Sequence, residues 1–217
     1  MTTDEYIEQS LLAEQEAKSK RERSGKFSPS QFGRCFRAQY WNRKNEPVSN
    51  PPNVESLKRF EEGTATHQLI QKRLPKGMVE VKIDTEDVIG YADIVEEDGV
   101  IDIKSAEEWK YKRYHNIPTE IFIEKNPKHF LQCGWYACML RKKYIRIRSN
   151  VTGSLSVYTI HEQLTIDWKD KIQHEIDMLR EYWKKDELPP PEPRAFGGKE
   201  CNYCSFKEKC NDLVTHG

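Results

Sequence analysis

Two acidic residues and a lysine at strand-like spacing stand in the middle of the sequence. Residues 88–105 (VIGYADIVEEDGVIDIKS) read as two strands joined by a turn, because Asp-Gly is a strong β-hairpin signal. Such a hairpin can bring Asp93 close to Asp102, and strand alternation puts Lys104 on the face of Asp102. Two carboxylates that hold one divalent metal, beside an ammonium that neutralises an anion, are what phosphodiester hydrolysis needs.

The pattern around this hairpin predicts the elements that position it. Apolar periodicities and turn residues predict an α/β fold with a mixed sheet and flanking helices. We expect helices over residues 2–23, 27–41 (N-capped by Ser28), 54–74, 127–142 and 165–185. We expect further strands over residues 78–84, 144–150 and 155–161, the last two joined at Thr152-Gly153.

Apolar positions in the helices predict which faces are buried. In residues 27–41 these are Phe32, Phe36 and Tyr40, and in residues 54–74 they are Leu57, Phe60, Leu69, Ile70 and Leu74. The later helices supply Phe130, Leu131, Trp135, Cys138 and Met139, then Ile166, Trp168, Ile172, Ile176, Leu179, Tyr182 and Trp183. Cys133 and Cys138 are interpreted as packing residues.

Four further polar signals are weak when taken alone. His67 lies four residues after Gly63 on one helical face, and Gln132 lies four before Tyr136. Glu80 either approaches the hairpin or is an exposed strand residue. Residues 105–118 interleave aromatic and basic side chains, which suits base stacking and phosphate contacts but equally a mobile loop.

Composition limits the classes of protein. The 217 residues carry 35 Lys and Arg against 35 Asp and Glu, so the net charge is zero, whereas nucleic-acid-binding proteins are often basic. No apolar run approaches the length of a membrane span, and we expect no secretory signal and no membrane partner. A cytoplasmic location, with reduced thiols, is therefore expected for the six cysteines.

Three of those cysteines lie within ten residues of a polar tail. Cys201, Cys204 and Cys210 follow a proline-rich linker, and such a short segment needs a metal to become ordered. Cys35 can supply a fourth ligand. Spacing alone leaves both tetrahedral Zn²⁺ and an iron–sulfur cube open.

In combination, these motifs resemble the RecB-like PD-(D/E)xK nucleases. The sequence carries Gly63-x-x-x-His67, Gly90-x-x-Asp93, Asp102-x-Lys104 and Gln132-x-x-x-Tyr136 in the family's order. One cysteine before and three after this core resemble the subset with a [4Fe–4S] cluster. That subset includes the CRISPR-associated nuclease of the fourth Cas family and the nuclease domain of AddB. The resemblance covers about residues 27–212, and some phages encode such proteins.

This resemblance implies an αβββαβ core with a cysteine-clamped helical cap, and it implies roles for the motif residues. His67, Asp93, Asp102 and the Ile103 carbonyl would bind Mg²⁺ or Mn²⁺. Lys104 would orient water and stabilise charge, and Gln132 and Tyr136 would position the substrate. Cys35, Cys201, Cys204 and Cys210 would bind the cluster. The expected division is an N-terminal helix (1–26), the first part of the cap (27–53), the nuclease core (54–187) and the linker with the cysteines (188–217).

The implied activity is that of a metal-dependent deoxyribonuclease, an exonuclease acting on single-stranded DNA. A homo-oligomer and recombination or CRISPR-adaptation proteins are partners that the resemblance suggests, in a prokaryotic cytoplasm or that of a phage host. The alternatives are a non-catalytic nucleic-acid-binding or scaffold protein on the same fold, and a zinc-clamped adaptor. We find no P-loop and hence no helicase motif.

Overall fold

A five-stranded mixed sheet forms the centre of the computed structural model, which describes residues 1–21, 23–151 and 157–216, with side chains to residue 213. The strands are β1 (Val79–Asp84), β2 (Ile89–Val95), β3 (Gly99–Ala106), β4 (Tyr144–Val151) and β5 (Val157–Gln163). They lie in sequence order across the sheet. Among the pairs of these five described strands, β3–β4 alone is parallel, so the chain must cross over between these two strands.

Eight helices surround the sheet in the described part of the chain. They are α1 (Thr3–Ser19), α2 (Phe36–Arg43), α3 (Val54–Gln71), α4 (Glu108–Tyr114), α5 (Thr119–Lys125), α6 (Pro127–Met139), α7 (Ile166–Lys185) and α8 (Lys207–His216). The order α3-β1-β2-β3-α6-β4 reproduces the predicted αβββαβ core, and β5 extends the sheet. The crossover from β3 to β4 carries α4, α5 and α6.

The main hydrophobic core lies between the sheet and the α6–α7 pair. Trp135 of α6 is 1% exposed and Ile172 of α7 is 2% exposed. Gly134 permits the close approach, because a Cβ there would lie 2.7 Å from the Ile172 side chain. Cys133 is fully buried beside β3, where its thiol donates to the carbonyl of Val100 over 3.3 Å, so its interpretation as a packing residue is confirmed.

The predicted continuous helix over residues 27–41 is wrong. The chain makes one 3-10 turn at Pro29–Gln31 and then turns at Gly33, whose φ is +73°. This left-handed conformation interrupts a helix and favours glycine. Helix α2 starts only at Phe36, and Cys35 is its N-terminal cap residue. The predicted buried face nevertheless holds, because Phe32, Phe36 and Tyr40 are all buried.

Several predicted core positions are exposed instead. On α3 only Leu57 is buried, whereas Phe60 and Leu69 are more than half exposed. Helix α3 lies against β2, β3 and helix α1, and these contacts leave most of its apolar stripe partly or largely exposed. Ile166 in the first turn of α7 and Met139 at the end of α6 are also exposed, because terminal turns extend beyond the layer they pack on.

Two segments differ from expectation or cannot be compared with it. Within the aromatic and basic residues 105–118, Glu108–Tyr114 form helix α4 rather than a loop, with Tyr111 and Tyr114 packed partly against the core. The predicted turn at Thr152-Gly153 lies outside the described residues. No helix within the described ranges is long and apolar enough to cross a bilayer.

Candidate active site

The sheet is irregular at two acidic residues. β1 and β2 pair on both sides of Glu80 and Asp93, but these two residues, which would face each other, are unpaired. β2 and β3 pair only next to their connecting turn, so they separate at Asp93. Glu80 has a φ of +49°, which is strained for any residue other than glycine. Strain of this kind tends to occur at functional sites.

Three potential metal ligands meet at this irregularity. Ligand atoms of His67, Glu80 and Asp93 all lie within 4.8 Å of one another, and Nδ1 of His67 is 3.7 Å from Oδ2 of Asp93. Gln71 orients Glu80, since its amide donates to the Glu80 carboxylate at 2.6 Å and to the backbone carbonyl of Asp93 at 3.2 Å. A neutral imidazole with two carboxylates is a donor set that suits Mg²⁺ or Mn²⁺.

Asp102 lies beside this group and pairs with Lys104. The Lys104 ammonium is 3.0 Å from Oδ1 and 2.8 Å from Oδ2 of Asp102, and it also donates to Oε1 of Gln132 at 3.3 Å. Strand β3 and helix α6 therefore bring together the three polar side chains that the sequence motifs singled out. Within the described residues the compact ligand group contains Glu80 but not Asp102, so the ligand role of Asp102 stays a prediction.

Burial and neighbouring charges set the protonation of these groups. Burial, and then the charge of Asp102, raise the pKa of Asp93 to about 7. Burial also raises the pKa of Asp102. Burial alone would lower the pKa of Lys104, but the charge and hydrogen bond of Asp102 outweigh it and raise that pKa. Burial and the Lys104 charge lower the pKa of His67, which favours the neutral, metal-binding imidazole.

The remaining motif residues lie around the same strands. The Ile103 amide donates to Oδ2 of Asp93 over 2.7 Å, which fills the gap left in the ladder. Tyr136 is buried behind β2, where a Cβ on Gly90 would lie 2.6 Å from its hydroxyl oxygen. Gly90 is thus required by the close approach of Tyr136. The substrate-positioning role of Tyr136 stays a prediction.

An open cavity of about 590 Å³ leads to the ligand group. Helix α3 forms one wall from Arg59 to Gln71, and Glu80 and Ser105 form the other. His67 faces this cavity, and Gly63 lies close to the Ser105 hydroxyl, where a Cβ would be 3.4 Å away. A phosphodiester could reach the carboxylates from this side.

The four cap cysteines approach one another from two ends of the chain. Cys35, Cys204 and Cys210 pack against a small cluster formed by Ala38, Tyr40, Trp41 and Phe206, and Cys201 is exposed. Burial raises the pKa of Cys204, and the nearby thiols of Cys35 and Cys201 add to this. Four thiols on one small cap fit the donor set of an iron–sulfur cube. In the described residues they do not form a group as compact as the one around Asp93.

Two buried glutamates that the sequence analysis missed tie the cap to the core. Glu200 accepts from the backbone amides of Cys35 (3.0 and 3.1 Å), Arg194 (3.0 Å) and Ala195 (3.2 Å). Glu175 of α7 accepts from the Gly33 amide at 2.9 Å and from Arg194 at 2.6 Å. The only local signal for Glu175 was a charge on the apolar face of a predicted helix.

Comparison with solved structures gives the fold. SSO0001 aligns over 97% of this chain and 96% of its own, with a TM-score of 0.57 and 17% identity. LHK-Exo in complex with dAMP, from Laribacter hongkongensis, aligns over 75% of this chain and 89% of its own, with a TM-score of 0.50 and 15% identity. No family model and no curated protein sequence matches the chain. At such identities the likeness concerns the fold alone, and the mixed sheet with flanking helices is consistent with a PD-(D/E)xK-like core.

Proposed function

We propose that this protein is a metal-dependent nuclease that hydrolyses phosphodiester bonds in DNA, acting as an exonuclease on single strands. The observation that carries the proposal is the Lys104 ammonium held by Asp102 and Gln132 next to the His67, Glu80 and Asp93 ligand group. Support also comes from the shared fold with LHK-Exo, which is described as an exonuclease and was crystallised with dAMP.

Mg²⁺ or Mn²⁺ would be held by Asp93 and His67 with Glu80 or Asp102, and when bound it polarises the phosphate and lowers the pKa of water. The side chains of the protein have further roles in the reaction. Lys104 stays protonated because of Asp102, so its role is to neutralise the charge that develops on the phosphate. Gln132 fixes the direction of the ammonium. The hydrogen bond from the Ile103 amide to the Asp93 carboxylate links the two strands where their backbone pairing is interrupted.

A [4Fe–4S] cluster on Cys35, Cys201, Cys204 and Cys210 is the cofactor proposed for the cap, with a structural rather than a hydrolytic role. Its support is the convergence of thiols from two distant segments on one hydrophobic cluster. Protein purified without oxygen would then be brown and contain iron and sulfide, whereas one equivalent of zinc in colourless protein would favour the tetrahedral alternative.

The test is digestion of end-labelled single-stranded DNA with Mn²⁺ or with EDTA, comparing the wild type with Lys104→Ala. We expect degradation that requires metal and falls at least about 100-fold in the variant, as for removal of one group that stabilises transition-state charge. A ladder of products gives the polarity. Degradation that survives Lys104→Ala would contradict the site, and binding without degradation would favour a nucleic-acid-binding module on this fold.

A further inference from the structure

Several basic side chains gather near Lys104, where the core meets the cap. Lys128 lies in the first turn of α6, and Arg34 lies in the bend before α2. Burial, and then the positive charges of Arg34 and Lys104, lower the pKa of Lys128 to about 8. Nε of Arg34 is buried without a hydrogen-bond partner in the described part of the structure. Such mutually repelling cations favour a bound anion.

Aromatic side chains adjoin these cations. The Lys128 ammonium lies 4.1 Å from the centre of the Phe196 ring, and the Tyr203 ring meets Phe196 edge-on at 5.6 Å. Phe196 is 43% exposed and Tyr203 is 74% exposed. Large aromatic side chains this accessible, next to positive charge, are the combination that binds bases and phosphates of single strands.

A cavity of about 310 Å³ adjoins these groups, and Lys128 lies next to it over the ring of Phe196 rather than in its lining. Arg23, Arg34, Phe196 and Tyr203 line it, together with the cap residue Cys204. The volume is in the range of small-ligand sites. Glu200 also borders the cavity, but its carboxylate oxygens accept from three backbone amides, so its charge is already compensated in part.

We propose that this cavity binds one unpaired nucleotide of a DNA strand, with the base against Phe196 and Tyr203 and the phosphate on Arg34 and Lys128. The proposal rests on the proposed function and adds to it a substrate subsite on the cap. Lys128 lies over the Phe196 ring, and its positive charge acts to lower the pKa of Asp102, so the subsite adjoins the proposed site of hydrolysis. A base in a duplex is paired and stacked, so this subsite selects single strands or frayed ends.

The test is fluorescence anisotropy of a short labelled oligothymidylate in EDTA, which prevents metal-dependent hydrolysis. Phe196→Leu should weaken binding about tenfold, within the range of one base–aromatic stack. The same variant should bind an abasic oligonucleotide, which keeps the phosphates, as well as the wild type does. Tyr6→Leu replaces an aromatic side chain on α1 that is even more accessible than Phe196 and is the matched control.

Lys128→Met tests the phosphate contact through salt dependence. Loss of one phosphate contact should reduce the slope of log affinity against log salt by about 0.7 for a single strand. Lys171→Met is the control. Lys171 also lies over an aromatic ring, but its charge is neutralised by a salt bridge with Asp167 on the same helix. Circular dichroism of all variants verifies folding.

The outcomes separate this inference from the proposed function. Three results would overturn the subsite, even if Mn²⁺ supports degradation. The variants could bind the oligothymidylate as tightly as their controls do, or Phe196→Leu could lose as much affinity for the abasic probe as for the oligothymidylate. The third such result is that the wild type does not bind at all. The expected binding pattern without any degradation by wild-type protein would sustain the subsite and refute the nuclease.

Discussion

At the scale of single residues, Glu80 is the group whose geometry changes the interpretation of the site most. It reaches His67 and Asp93 only because β1 takes a left-handed conformation at this position. A strained residue held by the amide of Gln71 at 2.6 Å is oriented before any ligand arrives. We therefore expect Glu80 to contribute to metal affinity rather than to stability.

Glu80→Gln is expected to weaken Mn²⁺ binding about 10-fold or more, since it removes one charged oxygen ligand while keeping the shape. Isothermal titration calorimetry measures this directly. Glu86→Gln, which changes an exposed glutamate in the turn after β1, is the control. Equal affinities of the two variants would exclude Glu80 from the ligand group and return that position to Asp102.

Lys128 gives a prediction about stability and pH. Its pKa is about 8 in the folded protein and near 10.5 when unperturbed, so between these values the unfolded chain binds more protons. The free energy of unfolding contributed by this group therefore rises with pH across that window. Lys128→Met should be more stable than the wild type at pH 7, by about 1 kcal/mol after allowance for solvent screening.

That advantage should shrink between pH 8 and pH 10.5, as the wild-type lysine loses its charge. Urea unfolding of both proteins at pH 7 and pH 10 measures the difference in their free energies of unfolding. Because all other titrating groups are common to both proteins, their contributions cancel in this difference. A difference that is the same at both values would contradict the repulsion among Lys128, Arg34 and Lys104.

The sequence predicted some of these residues and missed others for a physical reason. Asp102, Lys104 and Gln132 could be predicted from the sequence, because strand and helix periodicities determine which side chains share a face. Lys128, Phe196 and Glu200 come together from segments about 70 residues apart, and no local pattern encodes such a contact. Glu80 was ambiguous because its role depends on a strained backbone that an alternating strand pattern does not reveal.

At the scale of elements, the contact between β2 and α6 positions the site. Gly90 lies against the Tyr136 hydroxyl, and Pro29 is also near, so that a Cβ would be 2.6 Å from the first and 2.9 Å from the second. Tyr136 and Pro29 are both buried and have little room to move. The strand can approach α6, and carry Asp93 to the ligand group, only with glycine at this position.

Gly90→Ala should destabilise the protein by about 1–3 kcal/mol, the usual cost of overpacking a core. Tyr136→Phe in the same chain should recover part of that loss, with a coupling of about 0.5 kcal/mol or more between the two changes. Urea unfolding of the single and double variants gives this coupling. Gly77→Ala, where no atom lies within 4 Å of the new Cβ, is the control, and strict additivity would disprove the contact.

The order of the elements was predicted well, whereas the segment before α2 was not. Hydrophobic periodicity is strong in β3, α6 and α7, and these elements were correctly placed. The helix expected over residues 27–41 failed because one glycine with a φ of +73° outweighs a regular spacing of aromatic residues. The helix at residues 108–114 was missed because its buried side depends on α5 and β4 rather than on its own pattern.

At the scale of the whole molecule, the two ends of the chain are held together in two ways. One is the network of Glu200 with the amides of Cys35, Arg194 and Ala195, which exists without any cofactor. The other is the cluster that we propose on the four cysteines, which would act only when it is bound. Cys201 is exposed, so its side chain buries little apolar surface of its own.

These two ties predict different effects on thermal stability. Glu200→Gln should lower the Tm of cluster-free and cluster-loaded protein alike, because hydrogen bonds to a charged group contribute about 1.5–3 kcal/mol. Cys201→Ala should lower iron and sulfide content and the Tm of protein prepared without oxygen, but it should leave the Tm of the cluster-free protein unchanged. Differential scanning calorimetry of the three proteins in both states measures this. A lower Tm for cluster-free Cys201→Ala would mean that the cysteine stabilises the cap by packing, and unchanged iron content would mean that it is not a ligand.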